Sequence, residues 1–144
     1  MVPSPSLPYA GDISAADAWQ QLQSDPRIQL VDVRTVAEWN FVGMPDLSPL
    51  GRQAHCIEWQ QFPGGGRNPD FVAQSQQVLR DKEAPVLLLC RSGARSRAAA
   101  IALTNAGFAQ AFNIGDGFEG DVDGEGHRGT SNGWKAANLP WRQS

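Results

Sequence analysis

The run Pro85-Val86-Leu87-Leu88-Leu89-Cys90 constrains this chain more than any other stretch. It is too short for an ordinary helix, and its consecutive apolar side chains face both sides of a strand. A strand apolar on both faces needs cover on both, which is the condition of a parallel sheet lying between helices. A second run, Ile28-Gln29-Leu30-Val31-Asp32-Val33, has the same character and also finishes in polar company. Strands of this kind alternating with helical segments predict an α/β fold with a mainly parallel central sheet and helices on both faces.

The segments between the runs fill in that alternation. Ser14 is placed to cap a helix with Asp17 in its first turn, running to about Gln23 with Ala15, Trp19 and Leu22 on one face, before Asp25-Pro26 ends it. A short helix is expected from Thr35 through Glu38 and Trp39. Residues 43–68 are rich in loop signals, including Pro45, Pro63 and Gly64-Gly65-Gly66, with one strand expected at 55–59. A helix from Asp70 to about Leu79 should bury Phe71, Val72, Val78 and Leu79. Another runs from about Arg95 to Asn105 and stops at Gly107, and a last strand is expected at 109–114. The first eight residues carry three prolines, so residues 1–10 read as an extended arm and 11–144 as one domain.

Composition narrows the function classes. Net charge is −3, with Lys82 and Lys135 the chain's two lysines, so no basic surface for nucleic acid is expected. No run approaches the roughly 20 apolar residues of a membrane span, and the first residues have no signal-peptide pattern. Cys56 and Cys90 are too few for a disulfide framework and read as free thiols in a reducing compartment, the cytoplasm. His55 and His127 lack ligand partners at metal spacing, so neither a metal nor a cofactor is expected.

Chemistry concentrates at Cys90. A thiol at a strand end, followed by the loop Arg91-Ser92-Gly93-Ala94-Arg95-Ser96 and then a helix, meets the positive end of the helix dipole. Gly93 would let backbone amides turn inward as an anion nest, and Arg91 and Arg95 are suited to fork around an oxyanion. Asp32, Arg34 and Glu38 stand at the end of another strand and serve as support: Arg34 could pair with Glu38, and Asp32 could orient a loop arginine. A simple role in solvating the sheet edge is the alternative.

Leu30-Val31-Asp32-Val33-Arg34 with Glu38-Trp39, then Cys90-Arg91-Ser92-Gly93-Ala94-Arg95-Ser96, resembles a single-domain rhodanese, and Phe112-Asn113-Ile114-Gly115-Asp116-Gly117 suits the same pattern. The resemblance covers roughly residues 12–141. It implies a rhodanese-like three-layer fold and a sulfurtransferase that passes a sulfane sulfur through a Cys90 persulfide. The donors implied are small sulfur compounds such as thiosulfate, and the acceptors are cyanide or a thiol, including a protein thiol. One segment departs from the family: Gly43-Met44-Pro45-Asp46 and extra loop replace a "GHIPGA" element, which affects the cleft wall.

Other readings compete. A rhodanese-like module that binds or senses persulfides without efficient turnover has the same sequence. Thiol phosphatases and arsenate reductases share the strand-loop-helix design, but Arg95 follows Cys90 one position too early for their phosphate-binding arginine. Gly115-Asp116-Gly117-Phe118-Glu119-Gly120 matches dinucleotide-binding spacing, but its two carboxylates would repel a pyrophosphate, so a turn is expected. The run from Asp121 begins like a calcium loop but has Asn132 where a glutamate is needed. Cys56 reads as a buried inert thiol, with a resolving role the alternative. The five tryptophans read mainly as packing, with Trp39 or Trp59 the candidates to line the cleft.

Overall fold

The computed structural model describes residues 1–61 and 64–143; Phe62 and Pro63 of the expected loop, and the final Ser144, lie outside the described residues. Among the described residues seven strands and four helices succeed one another: β1 Gly11–Ile13, α1 Ala15–Ser24, β2 Gln29–Asp32, α2 Val36–Phe41, β3 Met44–Pro45, β4 His55–Cys56, α3 Phe71–Val78, β5 Val86–Leu89, α4 Ala94–Asn105, β6 Ala111–Ile114 and β7 Trp141–Arg142. Five strands form one sheet in the order β1-β6-β5-β2-β4, and every pairing in it is parallel.

The two apolar runs of the sequence are the centre of this sheet. Leu30, Val31, Leu87, Leu88 and Leu89 are wholly buried. Their alternation divides the core in two. Val31, Val33, Leu88 and Cys90 pack with Phe71 of α3 and Ala99, Ala100 and Leu103 of α4. Leu30, Leu87 and Leu89 pack with Ala15, Ala18 and Leu22 of α1 and with Phe118 and Trp134 of the C-terminal segment. Helices therefore cover both faces, as expected for strands apolar on both sides.

Local signals explain the helix ends. Ser14 Oγ accepts the Asp17 N–H at 3.1 Å, capping α1. Thr35 and Glu38 form a reciprocal capping box at the start of α2. The β2–β4 ladder outlasts the strand itself: Ile57 N–H bonds Asp32 O and Trp59 N–H bonds Val33 O, which accounts for the expected strand at 55–59.

Several expectations are corrected. The arm does not run straight: residues 5–10 are turns and bends, Ser4 N–H reaches Ala10 O, and Tyr9 and Ala10 are buried. Of the side expected for α3, Phe71 and the C-cap Leu79 are buried and Val72 packs on the core, but Val78 is exposed and Ser75 is buried instead. Ser75 tolerates burial because its hydroxyl donates to the Phe71 carbonyl at 2.8 Å. Strands β1, β3 and β7 had no expectation; β3 and β7 pair antiparallel, joining residues far apart in sequence.

Candidate active site

Parallel pairing fixes what lies at the carboxyl edge of the sheet. Asp32 is in register with Leu89 on one side and Cys56 on the other. One residue further on, Val33, Ile57 and Cys90 share the face covered by α3 and α4. Cys56 is aligned with Asp32 and so points to the opposite face from Cys90. The two thiols therefore do not form a dithiol pair, which removes a resolving role for Cys56. Cys56 is also open to solvent, contrary to the expectation of a buried thiol. Protein still crowds it on the sheet side; this desolvation, reinforced by the Asp32 carboxylate, pushes its thiol up to about 12.

Cys90 occupies a different setting. It is 1% exposed. Its sulfur accepts the Gly93 N–H at 3.1 Å and lies 3.1 Å from Ser96 Oγ. Gly93 is the cap of α4, with φ of +107°, so the first free amides of a 12-residue helix open beside the sulfur. No other residue fits at 93, because a Cβ there would run into the Gly115 carbonyl oxygen. Ser92 and Ala94 complete the loop, half-buried and exposed respectively.

The turn at 115–120 clasps the loop from behind. Phe118 N–H donates to Cys90 O at 2.8 Å, and Glu119 and Gly120 N–H donate to Arg91 O. Gly117, with φ of +67°, lies so close to Arg91 that a Cβ would collide with its carbonyl. The glycine spacing that imitates a dinucleotide motif is thus a backbone brace for the thiol loop. Asp116 adds to it by accepting Ala15 N–H and Gly133 N–H.

The charged residues pair differently from the expectation. Asp32 and Arg34 are both fully buried and pair with each other, Arg34 Nη2 meeting Asp32 Oδ2 at 2.7 Å. Arg34 also donates to Gly43 O at 2.7 Å and lies 4.2 Å over the Phe118 ring. Neither residue solvates an edge. Glu38, not Asp32, holds a loop arginine: Arg95 donates both terminal nitrogens to its carboxylate, at 2.6 and 2.9 Å. Burial is the strongest influence on the Glu38 carboxyl and raises it, but the hydrogen bonds and charge of Arg95, with the Thr35 N–H and the Arg34 charge, together hold the group below its usual value. Arg95 therefore arrives already neutralised, whereas Arg91 is exposed and pairs with no described residue.

One neighbour went unread in the sequence. Asn113, 3% exposed, accepts from Ser96 Oγ at 2.5 Å and donates to Asp12 Oδ1 and Gly93 O. Its signal was a lone polar residue within the apolar strand Ala111–Ile114. The remaining candidates lie elsewhere. His55 is half-buried on β4 against Gln29, and His127 is exposed. Asp123 spends its oxygens on His127 N–H, Glu125 N–H and Thr130 Oγ1. Among the described residues no cluster of three or more His, Cys, Asp or Glu could hold a metal, and no helix is long and apolar enough to cross a membrane. Trp39 lines a cavity of about 330 Å³ together with Cys56, while Trp59 packs on Phe71.

Residues 10–144 match the family described as the STR4 middle domain. The chain belongs to that family. An uncharacterized protein of Rickettsia rickettsii is 38% identical over 132 residues, spanning 91% of this chain and 96% of the relative. The chloroplastic rhodanese-like domain-containing protein 4 of Arabidopsis thaliana is 30% identical over 129 residues, 89% of this chain but 25% of that longer protein. Rv0390 from M. tuberculosis has a crystal structure that superposes with a TM-score of 0.84 at 52% identity, covering 94% of this chain and 99% of that one. The polysulfide-sulfur transferase homodimer of Wolinella succinogenes has a TM-score of 0.60 at 23% identity, over 92% of this chain and 78% of that one, a likeness of fold. The STR4 middle domain of this chain thus has a rhodanese-like α/β fold.

Proposed function

We propose that the chain is a sulfurtransferase whose carrier is a Cys90 persulfide. The observation that carries this reading is the Cys90 sulfur accepting Gly93 N–H at the mouth of α4, where added negative charge is stabilised. The Cys90 thiolate attacks the outer sulfur of a donor such as thiosulfate. A sulfur–sulfur bond forms on Cys90 as the donor's own breaks, and sulfite leaves with the electron pair. Cyanide or a thiol then attacks the outer sulfur of the persulfide, and the Cys90 thiolate is regenerated. Exposed Arg91 is the residue to meet an anionic donor, and Arg95, tied to Glu38, shapes the loop. Free thiols suit a reducing compartment such as the cytoplasm.

Intact mass after incubation with thiosulfate tests this. The wild type is expected to gain one sulfur atom, and Cys90→Ser none; absence of any adduct with thiosulfate or a small-molecule persulfide sinks the transfer reading. The enclosure of Cys90, at 1% exposure, favours a second reading, a module that takes up sulfur and releases it slowly. It predicts the same adduct with negligible turnover when cyanide is added. Phosphoryl transfer from phosphate esters is disfavoured, because Arg95, the loop arginine nearest to where a phosphoryl group would need one, is held by Glu38.

A further inference from the structure

The Ser96 hydroxyl has one proton and two neighbours able to take it, the Cys90 sulfur at 3.1 Å and Asn113 Oδ1 at 2.5 Å. Which one holds it is settled by the far side of Asn113. Its amide nitrogen donates to Asp12 Oδ1 at 2.9 Å and to Gly93 O at 3.2 Å. Flipping the amide would set an oxygen against two acceptors, so Oδ1 must face Ser96. Asp12 is in turn held by the Tyr9 hydroxyl, which donates to both carboxylate oxygens. The shorter contact assigns the resting Ser96 proton to Asn113, with Ser96 Oγ left as an acceptor toward the Cys90 thiol.

We infer that Asn113 is a positioning residue that competes with the Cys90 sulfur for the Ser96 proton. When Cys90 loses its proton, the Ser96 O–H rotates from Asn113 Oδ1 to the anionic sulfur, and the Asn113 carbonyl gives up a hydrogen bond. No covalent bond changes in the rotation. Asn113 thereby restrains thiolate formation, and Ser96 supports it. Other charges are arranged about the same loop: Arg95 with Glu38, Asp32 with Arg34, Arg91 within the loop and Asp12 behind Asn113. Those stay in place when Asn113 is changed, and the other route from Asn113 to the sulfur, through Gly93, is separated by the Ser96→Ala background.

The inference rests on Cys90 being the reacting sulfur. Alkylation by iodoacetamide reads the thiol without any donor, so a failure of sulfur transfer with the alkylation pattern intact would count against transfer only. The measurement is the alkylation rate against pH in a Cys56→Ser background, which leaves one reporting thiol. Asn113→Ala is expected to speed alkylation about 2- to 10-fold on the neutral side, the weight of one hydrogen bond, with the alkaline plateau unchanged. Ser96→Ala should slow it on the neutral side. In the Ser96→Ala background, Asn113→Ala should then change nothing. Slower alkylation at every pH, or an equal gain without Ser96, overturns the inference. If circular dichroism shows that Asn113→Ala has not folded, Asp12→Ala at an exposed position loosens the same amide. It should give a smaller gain of the same sign that also needs Ser96, and an unchanged profile there overturns the inference too.

Discussion

Cys56 and Cys90 stand at the carboxyl ends of two parallel strands on either side of β2, yet their surroundings differ. Cys90 is enclosed, but an amide and a hydroxyl converge on its sulfur and a 12-residue helix begins a few residues later. Cys56 is open to solvent, but among the described residues the next helix begins only at Phe71, and desolvation with Asp32 beside it pushes its thiol up to about 12. If Cys90 carries the sulfur as proposed, exposure does not decide which thiol reacts. The element that succeeds the strand would, because a loop closed by a helix N-terminus supplies donors that bare strand ends lack.

The largest effect should come from exchanging the thiols. Cys90→Ala is expected to abolish sulfur loading from thiosulfate while the protein stays folded, its stability lowered by about 1–3 kcal/mol because the buried Gly93 N–H loses its acceptor, and Cys56→Ala to retain loading at the wild-type level. Comparable loss in both variants would break the contrast. Next, the folded Cys90→Ser protein should alkylate at Cys56 far more slowly than the same chain in denaturant. A thiol held that high is almost wholly protonated at neutral pH, so little thiolate is available to react. Equal rates in the folded and unfolded chain would remove the argument from desolvation.

Asp32 is in register with Cys56 on one side and with Leu89, the residue before Cys90, on the other, and its removal tests both sides of the contrast. Asp32→Ala leaves the fully buried Arg34 charge without its partner, which should cost about 3–5 kcal/mol in urea unfolding. Because Asp32 helps hold the Cys56 thiol high, whatever protein stays folded should alkylate faster at that position. A change below about 1 kcal/mol would mean the pair is not the desolvated bridge its geometry describes.

The strands that carry the site were legible because burial on both faces writes a continuous apolar run, as at 85–90, and capping writes a local pattern, as at Ser14 and Thr35. Cys90 and its loop were legible for the same reason: strand end, glycine and helix start are neighbours in the chain. The pairing of Glu38 with Arg95 was not, since it joins residues 57 apart that only the sheet order brings together. Asp32 and Arg34 were found but misassigned, because nearness in sequence does not say which partner a buried charge faces. Strands β3 and β7, of two residues each, carry no periodicity at all. Their pairing is set by tertiary contact, as is the turn at 115–120 that braces the loop.

The smallest effect concerns the ion pair that Cys90's loop has and Cys56 lacks. Glu38 and Arg95 are about one-fifth exposed, so their pairing is screened less than a surface bridge and is not fully desolvated. Glu38→Gln keeps an acceptor for the α2 cap and removes the charge, and should cost about 1 kcal/mol at neutral pH. The sign with pH comes from the lowered carboxyl: the folded state binds the Glu38 proton less readily than the unfolded chain. The pair's contribution is thus complete above the ordinary glutamate value and is lost as pH falls through the lower, folded one. Unfolding of wild type and Glu38→Gln should therefore differ at pH 7 and converge under acid conditions. A difference that persists below the carboxylate range would assign Glu38 to packing, and the loop would then owe its shape to the backbone brace at 115–120 alone.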